Sequence, residues 1–363
     1  MNDRLSELHF LPPDSQFALG SLPIADVGPT IKRRDGRRVD LPLPLFWYDP
    51  PWIDLPVAFA SSLASAVGDL GVTTSGLMRD FAEGEEVPNF FCPNHVPPEE
   101  DDDGSVETYL PRMTPYRAER YGLLPEDFDN TAVVDVRLAA ARNASGRFAY
   151  SPEQMLRWER AVGEETISGG GLVACSSFPA DIASTKQGRV KLEQLRRLAP
   201  TAVIVVSIDA YDLETSLITA LLTKPDAIIL RMDQPEWEGI RLASVIRTAK
   251  AFLAAHSKRR RPLWIVPGAV SSRDVAKLIA LGADAVAIDH WCNPLIASLS
   301  GVGGPSLGPV SLHEIPALAA EHLWPRIDEA TGLISSILGR DDPTLGTYES
   351  DWAETSGATL LDC

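Results

Sequence analysis

The chain has 363 residues, of which 45% are hydrophobic and 23% are charged, values typical of a globular protein with a large buried core. Its formal net charge of -17 disfavours nucleic acid and anionic membranes as general partners, because their phosphates would repel it. No apolar run reaches the roughly 20 residues that span a bilayer, and the polar N-terminus is unlike a signal peptide, so we expect a cytoplasmic protein.

The first 40 residues form an extension that is expected to end in a β-hairpin. Asp35-Gly36 lies between residues of strand type, a pattern that predicts a tight turn between two antiparallel strands. We expect this hairpin to plug the bottom of a barrel.

Eight short apolar runs follow, most of them succeeded by a helical pattern, which predicts a (β/α)8 TIM barrel over residues 41–300. Closure of such a barrel requires the first and last strands to pair. The predicted strands are 43–48, 71–75, 133–138, 172–176, 202–208, 227–232, 263–266 and 285–288.

Apolar residues at spacings of three and four predict helices that start near 213, 237 and 271. We expect Ser272 to cap the start of the last of these helices and Gly282 to cap its end.

Two segments interrupt this alternation. Residues 83–130 are rich in proline and acidic side chains, so they are predicted to be a long insertion, either a flap over the barrel mouth or a partly disordered loop. Within it, we expect residues 96–105 to be mobile and sensitive to protease. Residues 301–363 are predicted to form a helical tail with an irregular acidic end from 341.

Function in a barrel of this kind lies at the carboxyl ends of the strands, which predicts a small-molecule site at the mouth. His290 and Asp209 are the candidates for acid–base catalysis, because histidine and aspartate exchange protons with substrates. Arg137 and Arg231 are candidates for holding an anion, and Asp49 joins Arg137 as a substrate-binding candidate. A polar ring of this kind is also compatible with a barrel that has only a structural role.

The segment "PLWIVPGAVSSRDVAKLIALGADAVAID" combines a strand, a glycine-containing turn, a capped helix and the last strand. Backbone N–H groups in such a turn can bind a phosphate beside a helix N-terminus, and Gly268 would let the ligand approach the backbone closely. The alternative is a βαβ unit with no ligand.

Together with "VDLPLPLFWYDPPWIDLPVAFASSLASAVGDLGVTTSG", "DIASTKQGRVKLEQLRRLAP" and "TKPDAIILRM", this segment resembles the FMN-binding barrel of glutamate synthase from about residue 41 to 299. The resemblance implies an oxidoreductase that uses FMN and acts on a small nitrogen-containing or carboxylate substrate or with a partner subunit. The cofactor-binding residues that it implies are Gly268, Ala269, Ser207, Arg231 and Asp289.

Several family motifs are altered. Tyr48-Asp49 stands where the family has Met-Ser, and Ser207 aligns with a lysine that approaches the flavin. Only Cys292 lies where the family has three cysteines, and the four cysteines of the chain show no C-x-x-C spacing, so we expect neither an iron–sulfur cluster nor another metal site.

Asp289 bears directly on flavin binding. A carboxylate about 4 Å from a phosphate charge costs on the order of 4 kcal/mol at an effective dielectric near 20. We therefore expect weak or lost FMN binding, and stronger binding in Asp289→Gly.

Three functions remain open: a divergent FMN-binding oxidoreductase, a barrel paralogue without flavin that serves as a non-catalytic or regulatory subunit, and a flavin-free enzyme for phosphate or carboxylate substrates. A protein partner or a homo-oligomer is compatible with each.

Overall fold

A computed structural model describes residues 3–12, 27–81, 112–116, 123–138, 149–150, 173–174, 185–233, 237–300, 310–340 and 342–362. Its strands are β1 (His9–Phe10), β2 (Thr30–Lys32), β3 (Arg38–Asp40), β4 (Leu45–Trp47), β5 (Thr73–Ser75), β6 (Arg112–Tyr116), β7 (Val133–Arg137), β8 (Ala149–Tyr150), β9 (Val173–Ala174), β10 (Val203–Asp209), β11 (Ala227–Arg231), β12 (Leu263–Val266), β13 (Ala285–Ala287), β14 (Leu345–Thr347) and β15 (Thr359–Leu360). Its α-helices are α1 (Val57–Asp69), α2 (Thr185–Leu198), α3 (Leu213–Thr223), α4 (Ile240–His256), α5 (Ser272–Ala280), α6 (Asp289–Leu299), α7 (Ile315–Ile337) and α8 (Ser350–Ser356).

Eight parallel strands close into a barrel in the order β4, β5, β6, β7, β10, β11, β12, β13, which confirms the (β/α)8 prediction. The barrel closes where β13 pairs with β4, with Val286 opposite Leu45 and Ala287 opposite Phe46. The predicted pairing of the first and last barrel strands is therefore confirmed.

One barrel strand was placed wrongly by the sequence. The third strand is β6, which lies inside the predicted insertion, while the run predicted at 172–176 contributes only β9, paired antiparallel with β8 outside the barrel. Polar residues in β6 remove the apolar pattern by which a buried strand is predicted. Arg112 is fully buried and donates to the carbonyl of Asp129, and Thr114 donates to the carbonyl of Asp127, so neither residue resembles an apolar core position.

The predicted hairpin forms from β2 and β3 and covers the bottom of the barrel. Gly36 takes a positive φ of 98° at its turn. Ile31 and Val39 join the same buried cluster as the inward-facing barrel residues Val203 and Ala227. The hairpin is held by contacts with segments that precede barrel strands, such as the bond from the backbone N–H of Arg34 to Asp226.

The predicted helices at 213, 237 and 271 correspond to α3, α4 and α5. The cap of α5 is one residue earlier than predicted, because the side chain of Ser271, not Ser272, accepts the N–H of Asp274. Gly282, with a φ of 116°, follows the end of this helix.

The tail differs from its predicted irregular end. After the long helix α7, strand β14 pairs antiparallel with β1 and parallel with β15, so the two ends of the described chain form one small sheet.

Among the helices described, none is long and apolar enough to cross a membrane. The predicted mobile segment 96–105 lies outside the described residues.

Candidate site at the barrel mouth

Charged side chains fill the upper part of the barrel interior. Asp135 and Arg137 lie two residues apart on β7 and therefore point to the same side of the strand. Arg137 Nε lies 2.7 Å from Asp135 Oδ2, and Ser207 on β10 donates to Asp135 Oδ1. Asp135 is completely buried and forms an ion pair with Arg137.

Arg137 extends from this pair to the end of the first barrel strand. Its Nη2 donates to the carbonyl of Tyr48 at 2.6 Å, and its guanidinium carbon lies 3.8 Å from the centre of the Tyr48 ring. Burial alone would lower the pKa of Arg137, but Tyr48 and Asp135 raise it above its ordinary value, so Arg137 stays charged. The structure thus places predicted substrate residue Arg137 in the mouth, but most of its donors are engaged.

Tyr48 lies between two arginines. The guanidinium carbon of Arg231, at the end of β11, is 5.7 Å from the ring centre on which Arg137 also stacks. Tyr48 is 2% exposed, and its hydroxyl, which lies near Ser207, has no hydrogen-bond partner among the described residues. Burial raises the pKa of Tyr48 above its ordinary value, so the hydroxyl remains a proton donor at neutral pH.

Arg231 keeps donors available. Its Nη2 lies 3.4 Å from Asp233, while its Nε is buried and has no partner in the described part of the chain. Asp209, predicted to be catalytic, lies beside Arg231 in the register of β10 and β11 and accepts the N–H of Tyr211. Asp49 lies 3.4 Å from Arg137 Nη1, with a side chain that is about half exposed.

Asp289 does not take the orientation expected from the sequence. Its Oδ2 accepts the N–H of Tyr48 at 3.0 Å and its Oδ1 accepts the N–H of Asp49 at 2.7 Å, so the carboxylate links the start of α6 to the end of β4. Burial raises the pKa of Asp289 to about 6, although the two N–H groups act in the opposite direction. These N–H groups orient the carboxylate towards the end of β4, and the expected repulsion of a phosphate stays a prediction.

His290, the other predicted catalytic residue, is exposed in the first turn of α6. The structure therefore brings together Arg137, Arg231 and Ser207 around Tyr48, whereas His290 lies on the surface at the start of the helix.

The turn after β12 has the features of an anion site. The carbonyls of Pro267 and Ala269 accept from Arg4, and the carbonyl of Val270 accepts from Trp291 Nε1 at 2.8 Å. The N–H groups of Gly268 and Ala269 have no partner among the described residues. Gly268 takes a φ of 78° and passes close to the backbone of Asp233. Successive unpaired N–H groups of this kind form a concavity that binds anions.

Sequence reasoning missed three residues that shape the mouth: Asp135, Tyr48 and Arg4. Asp135 and Arg137 share a strand face at a spacing of two, a signal that the sequence did contain. Tyr48 stands out in the sequence only as a departure from a family motif. The role of Arg4 had no local signal, because its partners lie more than 230 residues away.

Among the described residues, no group of three histidine, cysteine or acidic side chains could hold a metal ion. Cys292 is buried as a free thiol in α6.

No protein-family model matches the sequence, and no curated protein matches it. Among solved structures, the chain is similar to mandelate oxidase with benzoyl-formic acid, at 13% identity and a TM-score of 0.46, covering 92% of this chain and 84% of that one. It is also similar to mandelate oxidase with (S)-2-phenylpropionate, at 12% identity and a TM-score of 0.45, with the same coverage. The barrel assignment itself rests on the closed strand order of this chain.

Proposed function

We propose that this chain is an FMN-binding oxidoreductase of the (β/α)8 type that acts on a small carboxylate. The observation that carries the proposal is the turn at 267–270, where the carbonyls bind side chains and the N–H groups of Gly268 and Ala269 remain unpaired beside the barrel mouth. The resemblance to the glutamate synthase barrel leads to the same turn.

The residues present fit the phosphate of FMN. The donor set consists of backbone N–H groups in a turn whose Val270 carbonyl accepts from Trp291 in the first turn of α6, and the dipole at a helix N-terminus favours an anion. Asp289, the carboxylate expected to oppose this binding, is engaged by Tyr48 and Asp49. Gly268 and Ala269 would hold the phosphate, and Arg231, with Ser207 below it, would face the planar end of the ligand. When bound, FMN supplies an acceptor for two electrons as a hydride.

Arg231 is the proposed contact for the substrate carboxylate. Its buried Nε has no partner in the described chain, and Tyr48 and Asp233 offset the effect of burial, which lowers the pKa, so that the pKa of Arg231 lies above its ordinary value. The Tyr48 hydroxyl, which has no partner among the described residues, is our proposal for a second hydrogen-bond donor to the substrate carboxylate. Asp209, beside Arg231 in register, is our proposal for the group that accepts a proton from a substrate hydroxyl or amine.

The test is direct. The purified protein should release a yellow, fluorescent compound on heating, or should quench flavin fluorescence when titrated with FMN. Arg231→Met should keep the binding of inorganic phosphate within about threefold, yet weaken binding of a 2-hydroxy or 2-amino carboxylate by about tenfold to a hundredfold, because a hydrogen bond to a charged group contributes about 1.5–3 kcal/mol. A colourless protein that takes up no FMN would refute the proposal.

A ligand-binding barrel without catalysis is the second candidate. This candidate is favoured by the stack of Arg137 on Tyr48. Tyr48 is only 2% exposed, so the stacked pair fills the barrel interior beneath the mouth. This candidate predicts that FMN or a carboxylate binds, but that no carboxylate of either class reduces the flavin under anaerobic conditions.

A further inference from the structure

The N-terminal segment reaches the ligand turn through a single side chain. Arg4 Nη1 donates to the carbonyls of Pro267 and Ala269 in the turn after β12, and its Nη2 donates to the carbonyl of Trp237 in the loop after β11. One guanidinium therefore joins two neighbouring loops of the barrel mouth.

These contacts determine where the N–H groups of the turn point. In a trans peptide the C=O and the following N–H point in opposite directions. Since the carbonyls of Pro267 and Ala269 both point towards Arg4, the N–H groups of Gly268 and Val270 point away from it. The N–H groups of Gly268 and Val270 have no partner among the described residues. Arg4 thus orients, from behind, the N–H of Gly268, which is one of the two donors assigned to the phosphate, and the neighbouring N–H of Val270.

The segment that carries Arg4 is firmly anchored. Asp274 accepts the N–H groups of Arg4 and Leu5, at 3.0 and 2.9 Å. Lys277 donates to the carbonyl of Leu5 at 2.8 Å. Leu5 and Leu8 are buried in the main core, so the guanidinium is held in place rather than drawn from a mobile tail.

We propose that Arg4 is a positioning residue for the phosphate site, and that the N-terminal segment is consequently part of the ligand-binding machinery. The proposal deepens, and rests on, the function proposed above. It goes beyond it because Arg4 touches no ligand and acts through the peptide groups of residues 267–270. The ligand class is a phosphate monoester such as that of FMN.

The experiment compares Arg4→Ala and Arg4→Lys with a matched control, Arg340→Ala. Arg340 also clamps backbone carbonyls of the N-terminal segment, those of Leu11 and Pro12, but away from the mouth. Binding of FMN, riboflavin and inorganic phosphate is measured for each variant by fluorescence quenching or titration calorimetry. Riboflavin lacks the phosphate, so it separates an effect on the phosphate site from a general loosening of the barrel.

We expect Arg4→Ala to weaken FMN and phosphate binding by about tenfold to a hundredfold and to change riboflavin binding by less than about threefold. The FMN affinity of Arg4→Lys should lie between those of the native protein and Arg4→Ala, because an ammonium keeps the positive charge but not the planar, forked donor geometry of a guanidinium. Arg340→Ala should leave FMN affinity within about threefold. Equal losses for Arg4→Ala and Arg340→Ala, or equal losses of FMN and riboflavin, would overturn the proposal.

The two proposals can fail separately. A native protein that binds phosphate but not FMN would refute the flavin function, and the Arg4 effect would then be read from phosphate alone. A native protein that binds neither would refute both. If Arg4→Ala does not fold, the FMN-to-riboflavin ratio of Arg4→Lys decides the matter, with an unchanged ratio counting against the proposal.

Discussion

The lower and upper halves of the barrel interior are formed by the same strands, but the lower half is lined by apolar side chains and the upper half by charged ones. In the lower half, Phe46 and Trp264 pack with ring centres 5.0 Å apart, and Ile31 of the hairpin lies in the same apolar cluster. In the upper half, Asp135 and Arg137 are paired and buried. The lower half gains stability by excluding water. The upper half holds charges that would be costly to bury alone, an arrangement expected of a binding site rather than a core.

The largest expected effect comes from breaking the buried ion pair. Asp135→Ala should lower the free energy of unfolding by about 3–5 kcal/mol, because Arg137 would remain buried without its counter-charge. Urea denaturation measures this loss. The double variant Asp135→Leu with Arg137→Met should recover most of it, since neither charge is then left alone. A loss below about 1 kcal/mol in the single variant would mean that solvent, rather than Asp135, balances the arginine.

A core substitution in the lower half should separate stability from binding. Ile31→Ala removes fully buried apolar atoms of the plug and should cost about 2–4 kcal/mol in the free energy of unfolding. Ligand affinity at the mouth should stay within about twofold, as measured by the same FMN or phosphate titration. If FMN or phosphate binding weakened as much as is expected for Arg4→Ala, the two halves would be coupled and the contrast between them would be wrong.

Asp289 predicts a pH dependence that originates at the mouth. Because its pKa in the folded protein is about 6, above the ordinary value of 3.8, the stability linked to its protonated form is complete below about pH 4 and is lost as the pH rises through 6. We expect a decrease of about 1–2 kcal/mol, since the half-buried carboxylate keeps some hydration.

Asp289→Asn is the matched variant, because its amide does not titrate. The difference in unfolding free energy between the native protein and this variant should change between pH 4 and 6 and stay constant above pH 7. A constant difference throughout would show that the carboxylate is not shifted. The contacts of Asp289 add that Asp289→Gly should lose the link between α6 and β4, so its FMN affinity is compared with that of Asp289→Asn.

The smallest expected effect concerns the turn of the plug. Gly36→Ala should cost about 1 kcal/mol, because its φ of 98° strains a side chain even though space is available. Gly332 is a matched control, since it lies inside α7 with no atom within 4 Å of an added Cβ. Gly332→Ala should stabilise by about 0.5–1 kcal/mol. Thermal melts that moved in the same direction for both variants would contradict this account.

The sequence by itself determined the architecture wherever the pattern was local. Alternating apolar runs and helical spacing identified seven of the eight barrel strands, and Asp35-Gly36 identified the hairpin. The strand β6 was not predicted because two of its buried positions hold Arg112 and Thr114. These polar side chains can be buried because they donate hydrogen bonds to backbone carbonyls.

Only the tertiary structure decided the orientation of the charged groups. Asp289 lies at the predicted strand end, yet two backbone N–H groups 240 residues away turn its carboxylate towards β4. Arg4 reaches carbonyls on two loops that lie more than 230 residues away in the sequence. Periodicity reports which side of a strand or helix a residue occupies, but the direction of a polar side chain depends on partners that are close only after the barrel closes.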